Sequence, residues 1–207
     1  MSEPVSHPQN SLPRPRKRFG QHFLVDNGVL EDIATRITPE ANDLVLEIGP
    51  GRGALTAPLL QRMERLVAVE IDRDLCAHVG ERFSSSSLRV IEGDVLYLDF
   101  EQLLQQEKRS SLFVVSNLPY NITAPVLFKL RESAGLVRRA VLTLQKEVAE
   151  RLVAEPGSRA YSQVTVLLGQ CARISIARLI PSTAFKPKPK VDSAVIDVEF
   201  LPGRIPV

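Results

Sequence analysis

Five short apolar runs, Leu44 to Ile48, Leu66 to Ile71, Leu88 to Ile91, Leu112 to Val115 and Ala140 to Leu144, recur along the chain. They are too continuous for strands with one wet face and predict a parallel sheet covered on both sides. Between them, apolar residues return at helical spacing, as in Leu55, Leu59, Leu60 and Met63, or Val126, Leu127 and Leu130. Alternation of this kind predicts a doubly wound, Rossmann-like α/β fold. Ahead of the first run, Asp26 is placed to cap a helix that carries Leu30, Ile33, Ala34 and Ile37 on one face. Beyond the fifth run the pattern changes. A helical stretch (Val164, Leu167, Leu168, Cys171) leads to Ile174-Ser175-Ile176, a Lys/Pro loop and the alternating strand Ala194 to Phe200. That ending predicts an antiparallel hairpin at the sheet edge, for seven strands in all. No internal repeat is evident.

Composition bounds this picture. At 207 residues, 44% of them hydrophobic, the chain suits one well-cored domain. No apolar stretch approaches the roughly 18 residues of a membrane span, and Met1 to Pro15 lacks the apolar core of a signal peptide. A soluble, cytoplasmic monomer is expected, with residues 1 to 16 a disordered basic tail and 17 to 207 the folded domain. Cys76 and Cys171 have no metal-ligand spacing and read as reduced core residues, so no metal is expected. The net charge is only +2, but Arg14, Arg16, Lys17 and Arg18 cluster near the start and Lys186, Lys188 and Lys190 near the end. Such local clusters suit phosphate contacts, or in the first case a solvated tail.

The first strand runs into Gly49-Pro50-Gly51-Arg52-Gly53. Glycines at a strand-to-helix turn let the backbone approach a ligand and aim free amides at it. Glu70 follows Gly49 by 21 residues, where an acid can accept both hydroxyls of an adenosine ribose. A second acid, Asp94, follows the third run, and Ile71 and Val95 adjoin the two acids. The Pro50-containing GxGxG turn and the extra carboxylate argue against a nicotinamide dinucleotide, whose pyrophosphate is repelled by acids. S-adenosylmethionine, an adenosine with a sulfonium and no phosphate, fits better, with Asp94 accepting from the adenine amine. The alternative for Asp94 is a loop N-cap.

Asn117-Leu118-Pro119-Tyr120 follows the fourth run. An adenine amine is a poor nucleophile because its lone pair is delocalised into the ring. Acceptors at the Asn117 side-chain oxygen and the Leu118 carbonyl would favour a tetrahedral nitrogen with its lone pair aimed at a methyl group, and Tyr120 would stack on the base. In the alternative reading Asn117 caps a helix and Tyr120 packs in the core. Phe185, ahead of Lys186-Pro187-Lys188-Pro189-Lys190, is a candidate second wall of the stacking slot, or an ordinary loop anchor.

Four motifs in order carry a resemblance: Lys17 to Leu24, Leu46 to Gly51, Ser116 to Thr123 and Phe185 to Ser193. Together they resemble the ribosomal RNA adenine N6-dimethyltransferases, with a close match to the bacterial small-subunit type, over about residues 17 to 202. The resemblance implies a class I S-adenosylmethionine-dependent methyltransferase domain. It also implies cofactor contacts from His22 and Leu24 beside Gly49, Gly51, Glu70, Asp94 and Asn117. Many relatives have Asn where this chain has His22, which otherwise reads as a surface histidine. The implied substrate is two adjacent adenosines in the 3′-terminal hairpin loop of 16S ribosomal RNA, each methylated twice, within the pre-30S particle. Relatives usually carry a further helical domain beyond the point where this chain stops. A large-subunit methyltransferase, commonly Asn-Ile-Pro-Tyr at the motif, and a non-catalytic RNA-binding assembly factor are the competing expectations.

Overall fold

The computed structural model describes residues 21–84 and 86–201. The expected tail, the Lys17 to Gly20 start of the first motif and residues 202–207 lie outside the described residues. A seven-stranded sheet forms the centre, in the order β4-β3-β2-β5-β6-β9-β7. Its strands are β2 (Asp43–Ile48), β3 (Leu66–Glu70), β4 (Leu88–Glu92), β5 (Ser111–Asn117), β6 (Val137–Gln145), β7 (Ala172–Ile180) and β9 (Ser193–Phe200). The five strands β2 to β6 pair in parallel, and β9 lies antiparallel between β6 and β7. The chain thus has the expected doubly wound sheet with an antiparallel edge hairpin.

Helices pack on both faces. One core layer buries α4 (Phe100–Glu107), α5 (Thr123–Glu132), α6 (Lys146–Leu152) and α7 (Gln163–Gly169) against Leu44, Leu46, Val114 and Leu142. The other buries α1 (Asn27–Arg36) and α2 (Thr56–Leu60) against Val45, Phe113, Val115 and Val141. Alternate residues of each central strand therefore serve opposite layers, which is why β2 and β3 are buried throughout. The run Leu88 to Ile91 departs from that expectation. β4 is the outer strand, paired only with β3, and its residues are partly exposed.

Asp26 caps α1 as predicted, its carboxylate accepting from the Val29 amide at 3.0 Å. Cys171 is buried, while Cys76 on α3 (Arg73–Arg82) is only half-buried, so the core placement holds for one of the two. Among the described residues no helix is long and apolar enough to cross a membrane.

A two-residue ribbon was not predicted. β1 (Phe23–Leu24) pairs antiparallel with β8 (Phe185–Lys186), and the Val25 amide extends the ladder to the Ala184 carbonyl at 2.8 Å. This ribbon lays the amino-terminal segment across the carboxyl-terminal edge of the sheet.

Candidate active site

A cavity opens where β2, β3, β4 and β5 end, with about 1110 Å³ of empty space that is partly open to solvent. It lies where ligands of open α/β sheets gather. Among the residues lining it are all of the predicted site residues except Phe185.

The glycine turn forms its floor. Gly49 and Gly51 have φ of +66° and +58°, which side-chain-bearing residues rarely adopt. A Cβ on Gly51 would lie 2.9 Å from the Phe23 ring, whereas one on Gly49 would meet nothing within 4 Å, so the backbone at Gly49 faces open space. The expectation of free amides needs correction. Gly49 N–H donates to the Val69 carbonyl, Gly51 N–H to Glu70 Oε2 at 3.1 Å, and Gly53 N–H to the Pro50 carbonyl. The turn spends its donors on the fold and offers little to a phosphate, in keeping with a phosphate-free ligand.

Two acids stand on the next strand ends. Glu70 is 4% exposed, held by the amides of Gly51 and Asp72. Burial raises its carboxyl above the ordinary value against those hydrogen bonds. Glu70 also lines the cavity. Asp94 is the N-cap of a short turn and also a wall of the cavity. One oxygen caps the turn Val95–Tyr97 by accepting from the Leu96 amide at 2.9 Å, and the residue also lines the cavity beside Val95 and Ile71. Ile71 is nearly half exposed, an apolar surface on which a flat ring can rest.

Asn117 ends β5. Its Nδ2 donates to the His22 carbonyl at 3.0 Å, so the amide is oriented and its Oδ1 accepts no hydrogen bond from the described residues. Leu118 is anchored by a 2% exposed side chain and by its amide, which donates to the Thr143 carbonyl at 3.0 Å. Its own carbonyl accepts no hydrogen bond from the described residues. Tyr120 is half-buried, with its hydroxyl 2.8 Å from Ser193 Oγ. Burial raises the phenol above its ordinary value, opposed by that hydrogen bond. The His22 ring stacks on the Tyr120 ring at 5.5 Å between centroids and 28° between planes. Its Nδ1 lies 2.7 Å from the Pro187 carbonyl, so His22 joins the Asn117 end of the site to the Lys/Pro loop rather than standing at the surface.

Phe185 does not line the cavity. It is 2% exposed, packed with Leu24, Ile180, Ala184 and Val195 in the core, and it is the strand partner of Leu24, so the structure places it as a buried anchor. Two residues without a predicted role stand in the site. Ser193 holds Tyr120, as above. Glu47, 1% exposed, lines the cavity and accepts from Thr56 Oγ1 at 2.7 Å. Burial pushes its carboxyl up to about 8, a little less for the Thr56 hydrogen bond and a little more for nearby Glu70. A lone acid within the apolar run Leu44 to Ile48 was the available signal.

The model of the ribosomal RNA adenine dimethylase family matches residues 13–207. Ribosomal RNA small subunit methyltransferase A of Bordetella pertussis is 48% identical over 188 residues, 91% of this chain and 69% of that protein. Its namesake from Cupriavidus metallidurans is 47% identical, over 87% of this chain and 64% of its own length. This chain thus spans about two thirds of these relatives. Among solved structures, a dimethyladenosine transferase from Plasmodium falciparum superposes with a TM-score of 0.77 at 32% identity, covering 87% of this chain and 64% of that one. The 23S rRNA methyltransferase ErmE gives 0.76 at 26%, covering 88% and 71%. With the glycine turn, the two strand-end acids and the oriented Asn117 amide in place, the chain belongs to the ribosomal RNA adenine dimethylase family, S-adenosylmethionine-dependent enzymes on the class I methyltransferase fold.

Proposed function

We propose that this chain dimethylates the N6 amines of two adjacent adenosines in the 3′-terminal hairpin loop of 16S ribosomal RNA. It acts as a monomer in the cytoplasm on the pre-30S particle, with residues 17 to 207 as the catalytic unit. The observation that carries the reading is the pair of unspent acceptors, Asn117 Oδ1 and the Leu118 carbonyl, beside the Tyr120 ring.

The cavity fits the methyl donor. Glu70 offers acceptors for ribose hydroxyls and Asp94 an acceptor for an adenine amine, with Ile71 and Val95 as apolar surface and Leu24, His22, Gly49 and Gly51 closing the site. When bound, S-adenosylmethionine supplies an electrophilic methyl group on a positively charged sulfur. Asn117 and Leu118 accept both hydrogens of the incoming amine and draw its lone pair out of conjugation. The amine becomes acidic only as it takes the methyl group and then gives its N–H proton to water, so no strong base is required first and the rate gain is one of alignment. Tyr120 holds the base by its face, kept in place by Ser193 at the hydroxyl. Lys186, Lys188 and Lys190 are exposed on the adjoining loop, where they meet RNA phosphates.

Incubation of the chain with labelled S-adenosylmethionine and unmethylated 30S particles, followed by nucleoside analysis, tests the reading. N6-dimethyladenosine in the 16S RNA is expected. Its appearance only in large-subunit RNA would move the substrate to the other subunit. Its absence, with RNA still bound, would favour a non-catalytic assembly factor.

A further inference from the structure

Glu47 lines the cavity, and the proposed reaction leaves its chemistry unused. Its carboxyl is 1% exposed at the end of β2. Among the described residues its hydrogen bonding is limited to Thr56 Oγ1. The charged or titratable groups that line the cavity with it are Glu70 on β3, Asp94 after β4, Tyr120 after β5, Arg52 on the glycine turn and His22 on the amino-terminal segment. Arg52 is directed to the Phe23 ring, its guanidinium carbon 4.6 Å from the centroid. Among the described residues no cation is recorded against Glu47, and Glu70 repels its charge. A buried acid so placed keeps its proton until a cation arrives.

The strand order says what part of a ligand lies over it. If Asp94 after β4 takes the adenine, Glu70 on β3 the ribose and Asn117 on β5 the amine that receives the methyl group, then β2 lies between ribose and acceptor. Neighbouring strands are about 4.8 Å apart, so each portion of the ligand spans roughly one strand. The portion between ribose and methyl acceptor is the cationic sulfonium and methionyl end.

We propose that Glu47 is the proton-releasing counter-charge for the cationic end of the methyl donor. It is neutral in the free protein and gives its proton to solvent when the donor binds. The step conserves charge: the carboxyl O–H bond breaks, the proton leaves for bulk water, and the carboxylate pairs with the ligand's positive charge. Once methyl transfer makes the sulfur neutral, Glu47 regains a proton from solvent. The spent cofactor keeps its ammonium and carboxylate but has lost the sulfonium charge that Glu47 offsets, so the site favours the donor over the product. This inference rests on the cavity being the donor site.

Calorimetric titration of S-adenosylmethionine into the full chain, in buffers of different ionisation enthalpy, counts the protons released. At pH 7 the wild type is expected to release close to one proton per donor, and its affinity to rise by up to about tenfold per pH unit below the carboxyl's titration. In Glu47→Gln, which keeps an acceptor for Thr56, the donor still binds, the release falls to near zero and the pH dependence flattens. Thr56→Val removes a hydrogen bond that favours the ionised form, so the pH at which affinity levels off moves upward. Circular dichroism and thermal melting confirm that each variant is folded. Undiminished proton release in folded Glu47→Gln, or no release in the wild type, overturns the assignment. Failure of the wild type to bind the donor at all would instead strike the functional reading beneath it.

Discussion

Asp43 and Glu47 stand four residues apart on β2 and point to the same face of the sheet, yet their surroundings drive them in opposite directions. At the amino-terminal edge, Asp43 is gripped by Arg138 Nε at 2.8 Å, the Ser111 hydroxyl at 2.6 Å and the Glu40 amide at 2.7 Å. Burial alone would raise its carboxyl, but these partners outweigh it and hold Asp43 below the ordinary value. Glu107 on the same edge is likewise held down, first by Arg65 at 2.7 Å and then by Arg89 at 2.9 Å. At the carboxyl-terminal edge, Glu47 and Glu70 are raised, first by burial, with backbone amides and a threonine hydroxyl as their hydrogen-bond donors. One edge matches its acids with arginines and holds the fold together. At the other, among the described residues, no cation is recorded against Glu47 or Glu70 beside the cavity, which costs stability in the free protein and suits a cationic ligand.

The sharpest break of this contrast is at the working edge. Asn117→Ala removes an oriented acceptor and should lower methyl transfer by about 10²- to 10³-fold, while donor binding changes by only a few fold. Nucleoside analysis beside calorimetry separates the two quantities. If donor binding vanished while RNA binding held, Asn117 would belong to the donor rather than to the base.

The opposite edge should answer in stability. Arg138→Ala strands the buried Asp43 carboxylate, whose side chain has no exposure although that of Arg138 is 30% exposed. Partial exposure tempers the loss to roughly 3 kcal/mol, with donor affinity of the folded protein unchanged. Urea unfolding at pH 7 reads it.

The contrast also has a pH signature. Glu47 has a folded value of about 8 against an ordinary 4.5. The native protein keeps a proton that the unfolded chain gives up, so this contribution is full below the ordinary value and is lost as pH rises through about 8. Asp43 works the other way, contributing above its ordinary value and losing the contribution as pH falls through its lowered one. Glu47→Gln should therefore stabilise the free protein at pH 8.5, by roughly 2 kcal/mol once water entry has relaxed the buried charge, and by little at pH 5. Melting curves at the two pH values test it, and equal shifts at both would remove the electrostatic explanation.

Much of the sheet was legible because its central strands are buried on both sides, so Leu44 to Ile48 and Leu112 to Val115 stand out as unbroken apolar runs. The β1 and β8 ribbon was not. Two residues carry no periodicity, and what makes Phe23 and Leu24 a strand is a partner far along the chain. The same ribbon accounts for the buried position of Phe185. An aromatic beside a lysine and proline loop reads alike as a stacking wall or a buried anchor until its strand partner is known, and Leu24 supplies the anchor. The glycine turn was found by spacing, but that its amides serve Val69, Glu70 and Pro50 depends on a φ pattern that the residue types merely permit. Glu47 lay in plain view within an apolar run. Its meaning came from what does not surround it.

The smallest expected effect lies at Ser193, which touches Tyr120 but no other part of the candidate site named above. Ser193→Ala removes one hydrogen bond of about 1 kcal/mol. Methyl transfer should fall up to about tenfold, since 1.4 kcal/mol is a factor of ten. Tyr120→Phe should reproduce the loss, and the double variant should add little to either single one. Additive losses would mean that the two residues act separately.

The contrast between the edges is tested most directly by a carbon-13 NMR titration of the Asp43 and Glu47 carboxyl carbons in the ligand-free protein. Asp43 should titrate below the ordinary carboxylate range and Glu47 at about 8. Titration of both acids together near the ordinary range, between 3.8 and 4.5, would contradict the division of the sheet into a matched structural edge and an unmatched binding edge.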